Sequence, residues 1–266
     1  MSPLILFLSC LMTTIEEGEE YPGGDTTNTF LGGNNAFILP AENILVENEI
    51  HFYSGNSFFN QPWVEHPAST ESRDGLGPLY NARSCAACHF KDGRAEPPDV
   101  GDKFLGLVLQ IGVEDGEEFI PLDGYGPQLQ DFSVQGVPVE GIPTVQYEES
   151  DHFFGDGSPY TLIKPYYDIE SVNYGSIPEE VVISPRIAPA MIGLGLLEAI
   201  DTKDIEYYAD PQDHDGDGIS GQIRWVTLPE STEPMIGRFG WKASKASVAH
   251  QVGAAYIHDM GITNPL

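Results

Sequence analysis

Apolar residues in this chain come in short blocks, and the spacing inside the blocks changes along the sequence. Residues 104–113 (Phe-Leu-Gly-Leu-Val-Leu-Gln-Ile-Gly-Val) form a nearly continuous apolar run that predicts a buried strand. Residues 132–145 place Val134, Val137, Val139, Ile142 and Val145 among Gly and Pro, and residues 160–169 continue in the same style. Short strands are the reading for both, with irregular loop as the alternative. Residues 49–59 are apolar and aromatic, and fit either a helix or an extended stretch. Residues 188–200 predict a buried helix despite Gly193 and Gly195, which allow close approach of another backbone or a flat macrocycle. The clearest helical pattern runs over 242–260. It sets Val248, Val252, Ala255, Tyr256 and Met260 on one face and ends at Gly261.

Composition narrows the partners. Among 266 residues, 41 are acidic and 12 basic, a formal net charge of −29. Nucleic acid and anionic membrane surfaces are therefore poor partners, since both are recognised by clustered Lys and Arg. Hydrophobic residues at 41% exclude a disordered acidic polymer. No Lys or Arg precedes Arg73 and none lies between Lys103 and Lys164, a gap that holds Glu114, Asp115, Glu117 and Glu118. Such a surface is either simply solvated or steers a basic redox partner protein.

Residues 1–30 read as an export leader followed by a flexible acidic spacer. Residues 4–12 are apolar but short, and no basic residue precedes them. Leu8-Ser9-Cys10 has the look of a lipoprotein cleavage site, which would leave a lipid anchor at Cys10. No other apolar run approaches the roughly 20 residues of a spanning helix, so no transmembrane span is expected in the mature chain.

With Cys10 in the leader, Cys85 and Cys88 remain, in Ser84-Cys85-Ala86-Ala87-Cys88-His89. C-x-x-C-H is the attachment pattern of c-type haem. Two thiols two residues apart can add to the two vinyl groups on one porphyrin edge, and the next residue offers its imidazole to the iron. A zinc site would need about four ligands, and no second C-x-x-C or H-x₃-H completes one. A thioredoxin-type pair would not need the His. A plain structural disulfide is the remaining alternative. The motif predicts a first short helix over 82–90.

The surrounding words are more specific than the motif. Asp74-Gly75-Leu76-Gly77-Pro78-Leu79-Tyr80-Asn81 leads into it, and Ile183-Ser184-Pro185-Arg186-Ile187-Ala188-Pro189 and Gly193-Leu194-Gly195-Leu196-Leu197-Glu198-Ala199-Ile200 follow. Then come Asp213 to Gly221, Gly237-Arg238-Phe239-Gly240-Trp241-Lys242-Ala243, and Asp259-Met260-Gly261-Ile262-Thr263. In this order they resemble the bacterial di-haem oxidoreductase family, whose members are described as peroxidase-like and sometimes labelled thiol oxidoreductases. The resemblance runs from about Asn48 to the end. It implies a second C-x-x-C-H downstream of the Met-Gly-Ile-Thr block, whereas no Cys follows Cys88 here. The chain is expected to be the N-terminal part of a longer protein, truncated before a second haem domain, or else a form with one haem.

The resemblance and the pattern together predict a mainly α, cytochrome c-like haem domain over 31–266, with long loops and a β-rich insertion at about 104–170. Cys85 and Cys88 would carry thioether links to haem c, and His89 would be the proximal iron ligand. Met191, Met235, Met260, His152, His250 and His258 are candidates for the sixth iron position, Met260 being preferred at the end of its helix. Arg186 and Arg238 would face haem propionates or ordinary Asp and Glu partners. Trp241 and Phe239 would pack beside the porphyrin or in the core. Asp213, Asp215 and Asp217 open a D-x-D-x-D-G calcium loop, but its twelfth position is Arg224, so Glu198 or Asp210 would have to complete the shell. The function expected is a periplasmic or exported c-type haem oxidoreductase, peroxide-reducing as part of a di-haem enzyme. A non-catalytic electron-transfer cytochrome c is the alternative.

Overall fold

The computed structural model describes residues 18–116, 118–228, 231 and 233–266. The leader expected at residues 4–12, with Cys10, lies outside them. In chain order the first elements are α1 (Val46–Asn60), β1 (Leu79–Tyr80), α2 (Cys85–Cys88), β2 (Leu107–Asp115) and β3 (Glu118–Pro121). Next come β4 (Phe132–Ser133), β5 (Ile142–Phe153), β6 (Pro159–Glu170) and β7 (Val182–Ile187). The chain closes with α3 (Leu194–Ala199), α4 (Thr202–Tyr207), β8 (Trp225–Val226), β9 (Met235–Ile236) and α5 (Val248–Met260).

Helix accounts for 23% and strand for 24% of the chain, which overturns the mainly α, cytochrome c-like expectation. The reason lies in β2. Its inward residues Leu107, Leu109 and Ile111 are almost wholly buried, at every second position, as the apolar run predicts. β2 pairs antiparallel with β3 on one side and with β7 on the other, so a three-stranded sheet, not a helix bundle, organises the largest buried cluster. Phe104, Leu122, Tyr125, Leu129 and Val145 complete that cluster. Pro185 sits in β7, an outer strand of the sheet, where its missing N–H costs least.

Two helices are shorter than the pattern suggests. Residues 188–200 do not form one buried helix. β7 extends to Ile187, Gly193 takes a left-handed φ of 69°, and only α3 is helical, with Leu196 and Leu197 exposed. α5 starts at Val248 because the Ser247 side chain caps it, accepting from the His250 N–H. Gly261, at φ 63°, ends it as expected.

β5 and β6 form a separate two-stranded ribbon, paired from Ile142 with Glu170 to Phe153 with Pro159. Twelve residues per arm span about 40 Å. At its root Val145, Tyr147, Tyr167 and Ile169 pack on the core, while residues 148–159 are exposed throughout.

Candidate haem site

The Cys85–Cys88 turn is short, and its surroundings hold it in place. Ahead of it, the loop from Gly77 to Ala82 is gripped by the C-terminal end of α5. The Gly77 N–H donates to the Met260 carbonyl at 2.9 Å, and the Asn81 and Ala82 N–H groups both donate to the Asp259 carbonyl at 2.8 and 3.1 Å. The two backbones touch. A Cβ on Gly77 would lie 2.5 Å from the Gly261 Cα, so the glycines of two distant sequence blocks are what lets them cross.

Beneath this crossing lies a buried polar network. Gln128 Nε2 donates to Asn81 Oδ1 and Asp259 Oδ1, both at 2.8 Å, and Asn81 Nδ2 donates to Asp131 Oδ1 at 2.8 Å and to the Leu129 carbonyl. Burial raises the Asp259 carboxyl above its ordinary range, with Gln128 and His258 opposing. Burial also pushes Asp131 up to about 7, against the Asn81 hydrogen bond, and Glu140 up to about 7.

Cys85 and Cys88 are free thiols, half-buried. Burial, and then the charge of Asp259, push both up to about 11. A redox-active or nucleophilic C-x-x-C needs a lowered thiol pKa, so this environment is the reverse of a thioredoxin-type pair. At the other end of the turn, His89 Nδ1 lies 2.7 Å from the Pro189 carbonyl oxygen. A carbonyl only accepts, so Nδ1 carries the proton and Nε2 keeps its lone pair, the state required of a metal ligand. Beyond Phe90, Lys91 and Asp92 both adopt left-handed backbone, at φ 53° and 61°. Two such non-glycine residues in succession mark a strained turn, and the Met191 N–H fastens it through the Asp92 carbonyl.

Aromatic side chains from α1 and α5 surround the motif. Phe59 stands 6.3 Å from the His89 ring, and Trp63 lies between Phe58 at 6.2 Å and Tyr256 at 5.5 Å. The buried indole Nε1 of Trp63 has no hydrogen-bond partner among the described residues. α1 buries none of its residues and exposes Val46, Ile50 and Tyr53, while Ile192, Leu196 and Trp241 are exposed on the segments that follow and touch β7. Two adjacent thiols, an imidazole with free Nε2, an orphaned indole donor and uncovered apolar side chains fit a covalently held haem.

A family profile described as "Di-haem oxidoreductase, putative peroxidase" matches residues 18–111 and 130–266. The chain belongs to the di-haem oxidoreductase family. Membership implies haem binding and suggests a peroxidase-like oxidoreductase. None of the curated proteins and none of the solved structures matches the chain. Among the described residues no helix is long and apolar enough to cross a membrane.

The other candidate residues of this di-haem oxidoreductase chain are dispersed. Arg238 Nη1 is fully engaged: it donates to the carbonyls of Leu197, Glu198 and Ile200, at 3.1, 3.0 and 2.6 Å, closing the C-terminal end of α3. Arg186 lies in β7 opposite Val108 and donates to the neighbouring Pro185 carbonyl at 3.3 Å. Trp241 is 69% exposed, with its Nε1 3.4 Å from the Ile187 carbonyl, and Phe239 is buried. Met260 is packed at the end of α5, Met235 is exposed in β9, and His152 sits on the outer ribbon against Ser150 and Tyr160. Burial lowers both His250 and His258.

In the aspartate loop the carboxylates that converge are Asp210, Asp213 and Asp215, with ligand oxygens within 4.8 Å of one another. Asp217 is not among them and accepts from the Ile219 N–H at 2.7 Å. Of the two outside ligands considered, Asp210 joins the group, while Glu198 accepts from the Val248 N–H at the start of α5.

Sequence reasoning did not single out Pro189, Phe59, Trp63, Asn81, Gln128 or Asp259. Pro189, Asn81 and Asp259 all stand inside the recognised blocks, which was the available signal.

Proposed function

We propose that this chain is an exported or periplasmic c-type haem oxidoreductase, peroxide-reducing as part of a di-haem enzyme. The observation that carries this is the His89 ring, held by the Pro189 carbonyl with Nε2 free, directly after a turn whose two thiols burial pushes up to about 11. Cys85 and Cys88 would each add S–H across a haem vinyl group, forming a C–S bond while the hydrogen goes to the other vinyl carbon. His89 Nε2 would be the proximal ligand. Haem, when bound, supplies one-electron transfer at its iron.

The protein's own residues set the conditions. The Pro189 carbonyl fixes the His89 tautomer and the orientation of its ring. The α5 end and the Asn81–Gln128–Asp259 network lock the loop ahead of the motif. Trp63, with its buried and unpartnered N–H, would be available to a polar group of the haem, and the exposed apolar residues of α1 and α3 would be available to cover it. A basic redox partner would be steered by the acidic surface, and the Asp210–Asp213–Asp215 loop would hold calcium in a structural role.

The test is expression with the c-type maturation machinery, followed by haem staining after denaturation and a pyridine haemochrome spectrum. A c-type band that disappears in the Cys85→Ala, Cys88→Ala variant is expected. Absence of covalent haem in the unaltered protein defeats the reading. Peroxide turnover by the loaded protein separates the enzyme from an electron-transfer cytochrome.

A further inference from the structure

Four of the twelve Lys and Arg residues lie between Arg224 and Lys245. Arg238 is spent on helix carbonyls, but Arg224, Lys242 and Lys245 form no ion pair with a carboxylate among the described residues. In a chain with 41 acidic side chains, three cations this near in sequence with no carboxylate in ion-pair contact among the described residues are unexpected. Arg224 stands close enough to Lys245 for its charge, after burial, to lower the Lys245 ammonium pKa.

Arg224 and Lys242 line a cavity of about 560 Å³ whose other walls are largely apolar. Ile200, Tyr208 and Ile236 contribute from three different segments. Tyr208 is 80% exposed at this site and Ile200 41%, so its apolar surface is uncovered. Asp204 is the one carboxylate of the lining, against the two cations. None of these residues belongs to the haem motif or to the loop that holds it. A charged rim over an apolar pocket matches a ligand with one anionic end and a hydrocarbon body.

We propose that this cavity binds a small organic carboxylate, with Arg224 and Lys242 pairing its carboxylate and Ile200, Tyr208 and Ile236 covering its apolar body. An Arg guanidinium takes a carboxylate in a two-pronged hydrogen bond, and the ammonium of Lys242 adds a second charge. The strongly negative surface elsewhere repels anions, which confines binding to this patch.

Calorimetry on the haem-loaded chain tests it with octanoate, its neutral counterpart octanamide, and inorganic phosphate. Saturable one-site binding of octanoate is expected, with octanamide and phosphate at least about tenfold weaker. The Arg224→Gln, Lys242→Gln double variant should lose at least about tenfold in octanoate affinity while its circular dichroism is unchanged. Because those substitutions are on the surface, misfolding is not the expected outcome. Should the pair misfold, the single Lys242→Gln variant with octanoate gives the same reading. Equal binding of octanamide, phosphate binding as tight as octanoate, an unaffected variant, or no saturable binding overturns the assignment. The heat signal does not depend on haem, so failure here is distinct from failure to load haem.

Discussion

His89 and Pro189 are a hundred residues apart in sequence, and one hydrogen bond of 2.7 Å from ring to carbonyl joins them. That bond decides which imidazole nitrogen is free. Replacing His89 with Ala should leave haem covalently attached through Cys85 and Cys88 but remove the nitrogen ligand. Loss of the visible bands of the imidazole-ligated haem, and their return on adding imidazole, is the expected result. Pro189→Ala keeps the carbonyl and should leave the bands in place. A histidine variant with unchanged bands would show that the iron ligand is another residue.

The Gly77–Gly261 crossing should tolerate no side chain. Gly77→Ala is expected to destabilise the fold by about 1–3 kcal/mol through overpacking, since its Cβ meets backbone that cannot turn aside. Gly261→Ala adds the strain of a left-handed φ. Urea unfolding of each variant measures this, and a neutral Gly77→Ala would mean the two loops are not in contact.

The buried carboxyls make stability depend on pH in a defined direction. Asp131 rises from 3.8 to about 7 and Glu140 from 4.5 to about 7 on folding, both chiefly by burial. The folded state therefore holds protons that the unfolded state has released. Their contribution is fully present below about pH 4, fades as pH rises towards about 7, and is gone above it. The urea midpoint should be higher at pH 5 than at pH 8, and Asp131→Asn should flatten the difference. A slope as steep in that variant as in the parent would rule out Asp131 as a source.

Arg238→Ala leaves three carbonyls at the end of α3 without their donor and should cost about 1–3 kcal/mol. The haem midpoint potential should not move. A shifted potential would instead assign Arg238 to the propionates.

Calcium should raise the thermal midpoint of chelator-treated protein, and Asp213→Asn should abolish the increment. Magnesium, which demands a tighter octahedral shell, should substitute poorly. An identical midpoint with and without calcium would make the loop a hydrated acidic turn.

What could be read in the sequence was local. The C-x-x-C-H spacing proposes its chemistry within five residues, and the alternation of Leu107, Leu109 and Ile111 states the buried strand. The outer end of the ribbon gave a weaker signal. From Glu148 to Pro159 both faces are solvated, so no alternation of apolar and polar positions marks the strand. The segment 188–200 misled because its apolar content suggested a buried helix, while Gly193 breaks the backbone and the side chains stay exposed. Pro189 could not be found from composition, because its contribution is a main-chain oxygen. The same holds for the main-chain part of Asp259, whose carbonyl takes two loop N–H groups.

The grip of α5 on the loop at Gly77–Ala82 also has a temporal side. Those N–H groups wait for acceptors at Asp259 and Met260, at the end of α5, which are synthesised long after the loop itself. Until they arrive, the segment carrying Cys85, Cys88 and His89 lacks its anchor and remains pliable. If haem is attached as proposed, an enzyme reaching both thiols would meet an open segment before α5 docks and a closed one afterwards. Order of synthesis, written into one long-range backbone contact, would set the interval in which the prosthetic group can be installed.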